Sequence, residues 1–104
     1  MQEIKVRQEN QSDVKAIAVV NQSAFGGEAE AQLVAVVRAS KSFIPELSLV
    51  AEVGERLAGH ILLFHVHLDR QGKQAQVLAL APMSVVPSQA HRGIGSALVQ
   101  AAIA

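Results

Sequence analysis

The chain has 104 residues, enough for one domain, and half of them are apolar. A chain of this size buries between roughly 60 and 70% of its unfolded surface, which suits a compact globule rather than a disordered segment. Nine basic and nine acidic residues, scattered singly, and 3% aromatics exclude the clustered charge and stacking platforms of a nucleic-acid or anionic-membrane surface. With no cysteine there is no disulfide, thiolate nucleophile or cysteine zinc site.

The opening MQEIKVRQENQ lacks the apolar core of a signal peptide. No apolar run approaches the ~18 residues of a membrane span, so a soluble cytoplasmic protein is the expectation. Ile4 and Val6 alternate with Lys5 and Arg7 in the period-2 pattern of a half-buried strand over Glu3 to Gln8. Asn10 or Ser12 can cap the helix that follows, in which Val14, Ile17, Ala18, Asn21 and Phe25 recur at helical spacing. Gly26 and Gly27 stop it. Glu28 and Glu30 suit the positive end of a second helix, whose expected apolar stripe is Leu33, Val34, Val36 and Val37.

Phe43 to Glu46, with Pro45, reads as a connection. Strands are expected at Leu47 to Val53 and Arg56 to Leu68, joined by a turn at Gly54 and Glu55. The polar run Asp69 to Lys73 is a hairpin turn into a last strand, Gln74 to Val86. The order is β-α-α-β-β-β-α in one domain spanning residues 1–104.

Pro87 ends the last strand. A polar loop then leads to Gly93 and Gly95, which open an apolar helical run to Ala104. A strand that delivers a glycine turn onto a helix start is a recipe for binding phosphate. The first helical N–H groups lack intrahelical partners, the dipole adds partial positive charge, and glycine lets an anion approach the backbone. A dinucleotide fingerprint would need a third glycine where Leu98 stands, and an acidic residue some 20 positions on. A P-loop would need Gly-Lys-Ser/Thr, which is absent.

The segment MSVVPSQAHRGIGSAL resembles the acetyl-CoA-binding segment of GNAT-superfamily N-acetyltransferases: a strand, a proline-bearing loop, then Q/R-x-x-G-x-G/A opening a helix. Ala90 stands where that pattern has Gln or Arg, and Gln89 falls one residue early. LVAEVGERLAGHILLF resembles the family's paired second and third strands. The resemblance implies an α+β, three-layer GNAT-like fold around a mixed, mostly antiparallel sheet. It implies acetyl-CoA as cosubstrate, with pantetheine on the backbone of Met83, Ser84 and Val85. The pyrophosphate would lie on His91, Arg92, Gly93, Ile94, Gly95 and Ser96. The acceptor would be a small-molecule or peptide amine, attacking the thioester directly in a ternary complex.

The family continues with a fifth strand, while this chain ends within an apolar helix at Ala101 to Ala104. The expectation is therefore a domain cut before the fifth strand. The fifth strand and the tyrosine that often protonates the leaving thiolate would lie beyond Ala104, and the chain has no tyrosine. Two functions follow: an N-acetyltransferase, or a truncated GNAT-like module that associates, as a homodimer or with an added strand, through its open sheet edge.

The fourth strand offers no carboxylate, so Glu28 and Glu52 are the remaining acidic candidates for the base. A solvated surface charge is the commoner role for either. His65 and His67 share a strand face at a metal-ligand spacing, but no third ligand is evident and no metal site is assigned. His91 lies in the phosphate loop, where its backbone N–H is the favoured donor.

Overall fold

The computed structural model describes residues 3–104. Four strands form one antiparallel sheet in chain order: β1 (Ile4–Gln8), β2 (Phe43–Val53), β3 (Arg56–Arg70) and β4 (Lys73–Val85). Helices α1 (Val14–Phe25) and α2 (Ala29–Arg38) separate β1 from β2, and α3 (Ile94–Ile103) follows β4. All strand pairings among the described residues are antiparallel, so the parallel component expected of a mixed sheet is not found within them.

Alternation along the strands divides the core in two. Leu49, Ala51, Ile61 and Leu63 meet Ile94 and Leu98 of α3. Val50 and Leu62, one residue away from these, meet Ile17 of α1 and Val34 and Val37 of α2. Consecutive strand residues point to opposite faces, so α1 and α2 cover one face and α3 the other. The result is the expected three layers.

The helix starts and stops have identifiable causes. Asn10 Oδ1 accepts the Ser12 N–H at 3.0 Å, and Asp13 Oδ2 accepts the Asn10 N–H at 2.8 Å, a reciprocal cap on a 3-10 turn at Gln11–Asp13 that leads into α1. Arg7 of β1 grips both Asp13 oxygens, at 2.7 and 3.0 Å, and also pairs with Glu52 of β2. Its guanidinium holds the Asp13 carboxyl below the usual carboxylate range. One side chain thus ties the first strand, the first helix and the second strand together. At the far end, Gly26 adopts φ 75° and its N–H reaches the Gln22 carbonyl at 2.8 Å.

Three expectations are corrected. β2 begins at Phe43 rather than Leu47. The ladder advances from Phe43 to Ser48 on β2 while β3 moves only from Phe64 to Leu62, so the residues around Pro45 bulge out of register. A proline cannot donate to a ladder, and a bulge is where a strand accommodates one. The α2 stripe is narrower than four residues: Val34 and Val37 are buried, whereas Leu33 and Val36 face solvent. At 3.6 residues per turn, positions 33, 34, 36 and 37 cannot all face one sheet. The β3–β4 turn is two residues, Gln71 and Gly72 at φ 55° and 77°, not five. Positive φ at both central positions matches the right-handed twist of the flanking strands.

Gly59 brings α3 onto the sheet. A Cβ there would lie 2.9 Å from Ile94 Cγ2, 3.0 Å from Leu98 Cδ1 and 3.0 Å from the Ser84 carbonyl oxygen. The missing side chain lets the first turns of α3 rest on β3, which fixes where that helix begins.

Candidate functional site

The end of β4, the loop after it and the start of α3 enclose a cleft of about 620 Å³. That is within the roughly 300–1,000 Å³ range of small-molecule sites. Met83 and Val85 form its strand wall, Gln89 to His91 its loop wall, and Gly93 to Ser96 its floor. The sequence produces this shape in three steps. Pro87 opens a 3-10 turn at Pro87–Gln89 that ends the strand. His91 and Gly93 take φ 65° and 82°, curling the loop back toward β4. The first intrahelical bond, Ala97 N–H to the Gly93 carbonyl at 3.0 Å, leaves the N–H groups of Ile94, Gly95 and Ser96 without helical acceptors.

The two glycines differ in what they supply. Gly93 is needed for its backbone conformation, since nothing lies within 4 Å of a Cβ built there. At Gly95 a Cβ would make only ordinary contact with Met83, at 3.5 Å to Cε and 3.8 Å to Sδ. The protein core does not require glycine at 95. Its bare backbone lies on the cleft floor.

Seven of the nine cosubstrate candidates line this cleft: Met83, Val85, His91, Gly93, Ile94, Gly95 and Ser96. Arg92 is exposed and lies outside the lining. Ser84 faces the other way, buried opposite His60 under α1, so only its backbone is near the cleft wall. Gln89 does line the cleft, and its Oε1 is buried with no hydrogen-bond partner among the described residues. The amide that falls one position early in the sequence pattern therefore reaches the loop wall beside Ala90.

The acidic candidates sit elsewhere. Glu52 is held by Arg7, away from the cleft. Glu28 is exposed at the start of α2, where its carbonyl accepts the Gln32 N–H at 2.9 Å. His67 is exposed on the β3–β4 hairpin, and His65 is tied by its backbone N–H to the Ser42 carbonyl at 3.1 Å. Among the described residues no group of three or more metal-ligating side chains converges.

Helical spacing puts Asn21 on the inner stripe of α1, but nothing in the sequence joins it to His60, Ser48 and Glu9, with which it forms a buried polar group. Ser48 and His60 are wholly buried between the sheet and α1. Arg38 of α2 donates to the Glu9 carboxylate at 3.0 and 3.2 Å. Ser48 donates its hydroxyl proton to Glu9, so its oxygen is left to accept from His60 Nε2 at 3.1 Å. The His60 Nδ1 then carries the lone pair, and Asn21 Nδ2 faces it at 3.4 Å while donating to the Ile17 carbonyl at 3.1 Å. Burial pushes the His60 pKa down to about 4, against the opposing pull of Glu9. His60 is thus neutral, protonated at Nε2, and on the sheet face opposite the cleft. It holds layers together and is not placed to take a substrate proton.

Comparison with known proteins agrees with this architecture. Residues 5–104 match the model of the acetyltransferase (GNAT) domain family. The uncharacterized N-acetyltransferase YjhQ of Escherichia coli is 33% identical over 94 residues, 90% of this chain. A GNAT family acetyltransferase from Brucella melitensis, solved in complex with acetyl-CoA, superposes with a TM-score of 0.86 at 30% identity, covering 99% of this chain and 68% of that one. The E. coli GNAT family N-acetyltransferase YhbS, solved in complex with CoA, superposes at 0.79 with 27% identity, covering 96% of this chain and 54% of that one. The fold is that of an acetyltransferase domain, and the chain belongs to the GNAT acetyltransferase family. It spans about half, 52%, of the length of the curated relative it matches. No helix among the described residues is long and apolar enough to cross a membrane.

Proposed function

We propose that this chain is the cosubstrate-binding part of an N-acetyltransferase that moves an acetyl group from acetyl-CoA to a primary amine. The observation that carries the reading is the cleft itself. The strand wall at Met83 to Val85, which has β3 as its one strand neighbour among the described residues, runs into a loop and a helix start whose first N–H groups lack helical acceptors, over a glycine whose bare backbone the core does not need. The Brucella and YhbS structures, solved with acetyl-CoA and CoA, support the same ligand here.

In this reading the N–H groups of Ile94, Gly95 and Ser96 meet the pyrophosphate, where the helix dipole also favours negative charge. The backbone of β4 at Met83 to Val85 pairs with the amide groups of pantetheine as with an added strand. Backbone N–H groups at Met83 to Val85 are the donors available to a thioester oxygen as it gains charge. The amine lone pair attacks the carbonyl carbon, the C–S bond breaks, and the thiolate leaves with one proton while the amine loses one. Neither His60 nor Glu52 can accept that proton directly, because the first is enclosed and the second paired. The proton therefore passes to solvent or to a group outside these residues.

Thermal unfolding with and without acetyl-CoA tests the binding step. At 100 times its Kd the ligand adds ~2.7 kcal/mol, which raises the midpoint by about 10 °C for a domain this small. An unchanged midpoint at saturating ligand would remove the reading.

A further inference from the structure

A second cleft, of about 850 Å³, shares only Gln89 with the first. It too falls in the size range of small-molecule sites. The β2–β3 turn at Gly54 and Glu55 forms one side of it and the 3-10 turn at Pro87–Gln89 another. Leu57, Val86 and Pro87 give it an apolar wall, and Ser23 and Ser88 contribute hydroxyl groups.

The lining carries one charge of each sign. Glu55 and Arg56 are both exposed, and among the described residues neither forms an ion pair, with its neighbour or with a third group. A guanidinium offers a fork of donors matched to a carboxylate, and a carboxylate accepts from an ammonium. Gln89 adds an independent pointer to a ligand. Its Oε1 is shut into the wall with no donor among the described residues, and a buried acceptor left without a hydrogen bond is costly. The pyrophosphate of a cosubstrate cannot make that bond, because its oxygens only accept. An ammonium can.

We propose that the second cleft is a binding site of its own for a small zwitterion, an α-amino acid with an apolar side chain. Arg56 takes the carboxylate. Glu55 takes the ammonium together with the Gln89 carbonyl, once that side chain turns out from the wall. The ligand's side chain lies on Leu57, Val86 and Pro87. A ligand of one sign alone would set either Glu55 or Arg56 against a like charge. The site meets the loop rather than the strand wall at Met83 to Val85, so its ligand is held and not acetylated. The inference does not rest on the acetyl-CoA reading.

Backbone amide spectra of the chain titrated with L-leucine test it. Saturable shifts are expected on Glu55 to Ala58 and on Ser88 and Gln89. N-acetyl-L-leucine lacks the ammonium and L-leucinamide the carboxylate, and each is expected to bind about tenfold more weakly or worse. Arg56→Gln should weaken L-leucine binding by a similar factor. It should leave circular dichroism and the acetyl-CoA thermal shift unchanged, since Arg56 lies outside the first cleft. No saturable shift, equal affinity for all three compounds, or binding unaffected by Arg56→Gln would each overturn the proposal. Displacement of L-leucine by CoA would overturn it too, making the second cleft an extension of the first. A thermal shift with acetyl-CoA but no response to L-leucine, or the reverse, identifies which of the two readings failed.

Discussion

Glu9, Asn21, Ser48 and His60 come from four separated points of the chain and meet in one buried network. Nothing in their spacing announces it. Alternation places His60 on a strand face but does not tell which polar groups lie above it. The chemistry becomes readable only when Glu9, fixed by Arg38, orients the Ser48 hydroxyl and so the His60 tautomer. The network has a measurable consequence. The folded-state pKa of His60 is about 4, below its ordinary 6.5. Between those values the unfolded chain binds a proton that the folded chain refuses. Stability is therefore full above pH 6.5 and falls as pH drops toward 4, by up to about 3 kcal/mol. Urea unfolding at pH 7 and pH 5, compared with His60→Leu, checks this. The unaltered protein should lose stability on acidification and the variant should lose less. The interval stays above the range where Asp13, with its lowered pKa, begins to contribute. An equal loss in both proteins would assign the slope to other groups.

Among the elements, those set by local punctuation were legible and those set by tertiary approach were not. Asn10, the glycine pair at 26–27, and Pro87 with Gly93 bound their helices and strands where sequence chemistry puts them. The start of β2 was obscured because Pro45 argues against a strand, and the bulge that admits it depends on β3. Gly59 likewise reads as a weak point in a strand, yet it is where α3 touches the sheet. Gly59→Ala is expected to cost about 1–3 kcal/mol by overpacking Ile94 and Leu98, lowering the unfolding midpoint by about 4 °C or more. Gly95→Ala is the contrast: its new Cβ meets only Met83 at ordinary distance, and alanine favours a helix by up to about 1 kcal/mol over glycine. Equal midpoints for the two variants would refute the assignment of Gly59 as the seat of α3.

At the scale of the whole molecule, the layers and the cleft follow from one arrangement. Strand alternation sends α1 and α2 to one face and α3 to the other, and the loop between β4 and α3 crosses the end of the sheet to make that switch. The cleft lies in that crossing. The glycine turn was visible in the sequence because its backbone demands are local. The turning away of Ser84 and Arg92 was not, since it depends on pairing with β3 and on the course of the loop. Binding of acetyl-CoA at the start of α3 is the central claim. Backbone amide spectra of the chain titrated with acetyl-CoA test it most directly, alongside Gly95→Leu, which fills the cleft floor from a position the core leaves open. Saturable shifts should concentrate on Gly93 to Ser96 and on Met83 and Val85, and should vanish in the variant while its fold persists. Shifts confined to another surface, or equal in both proteins, would contradict it.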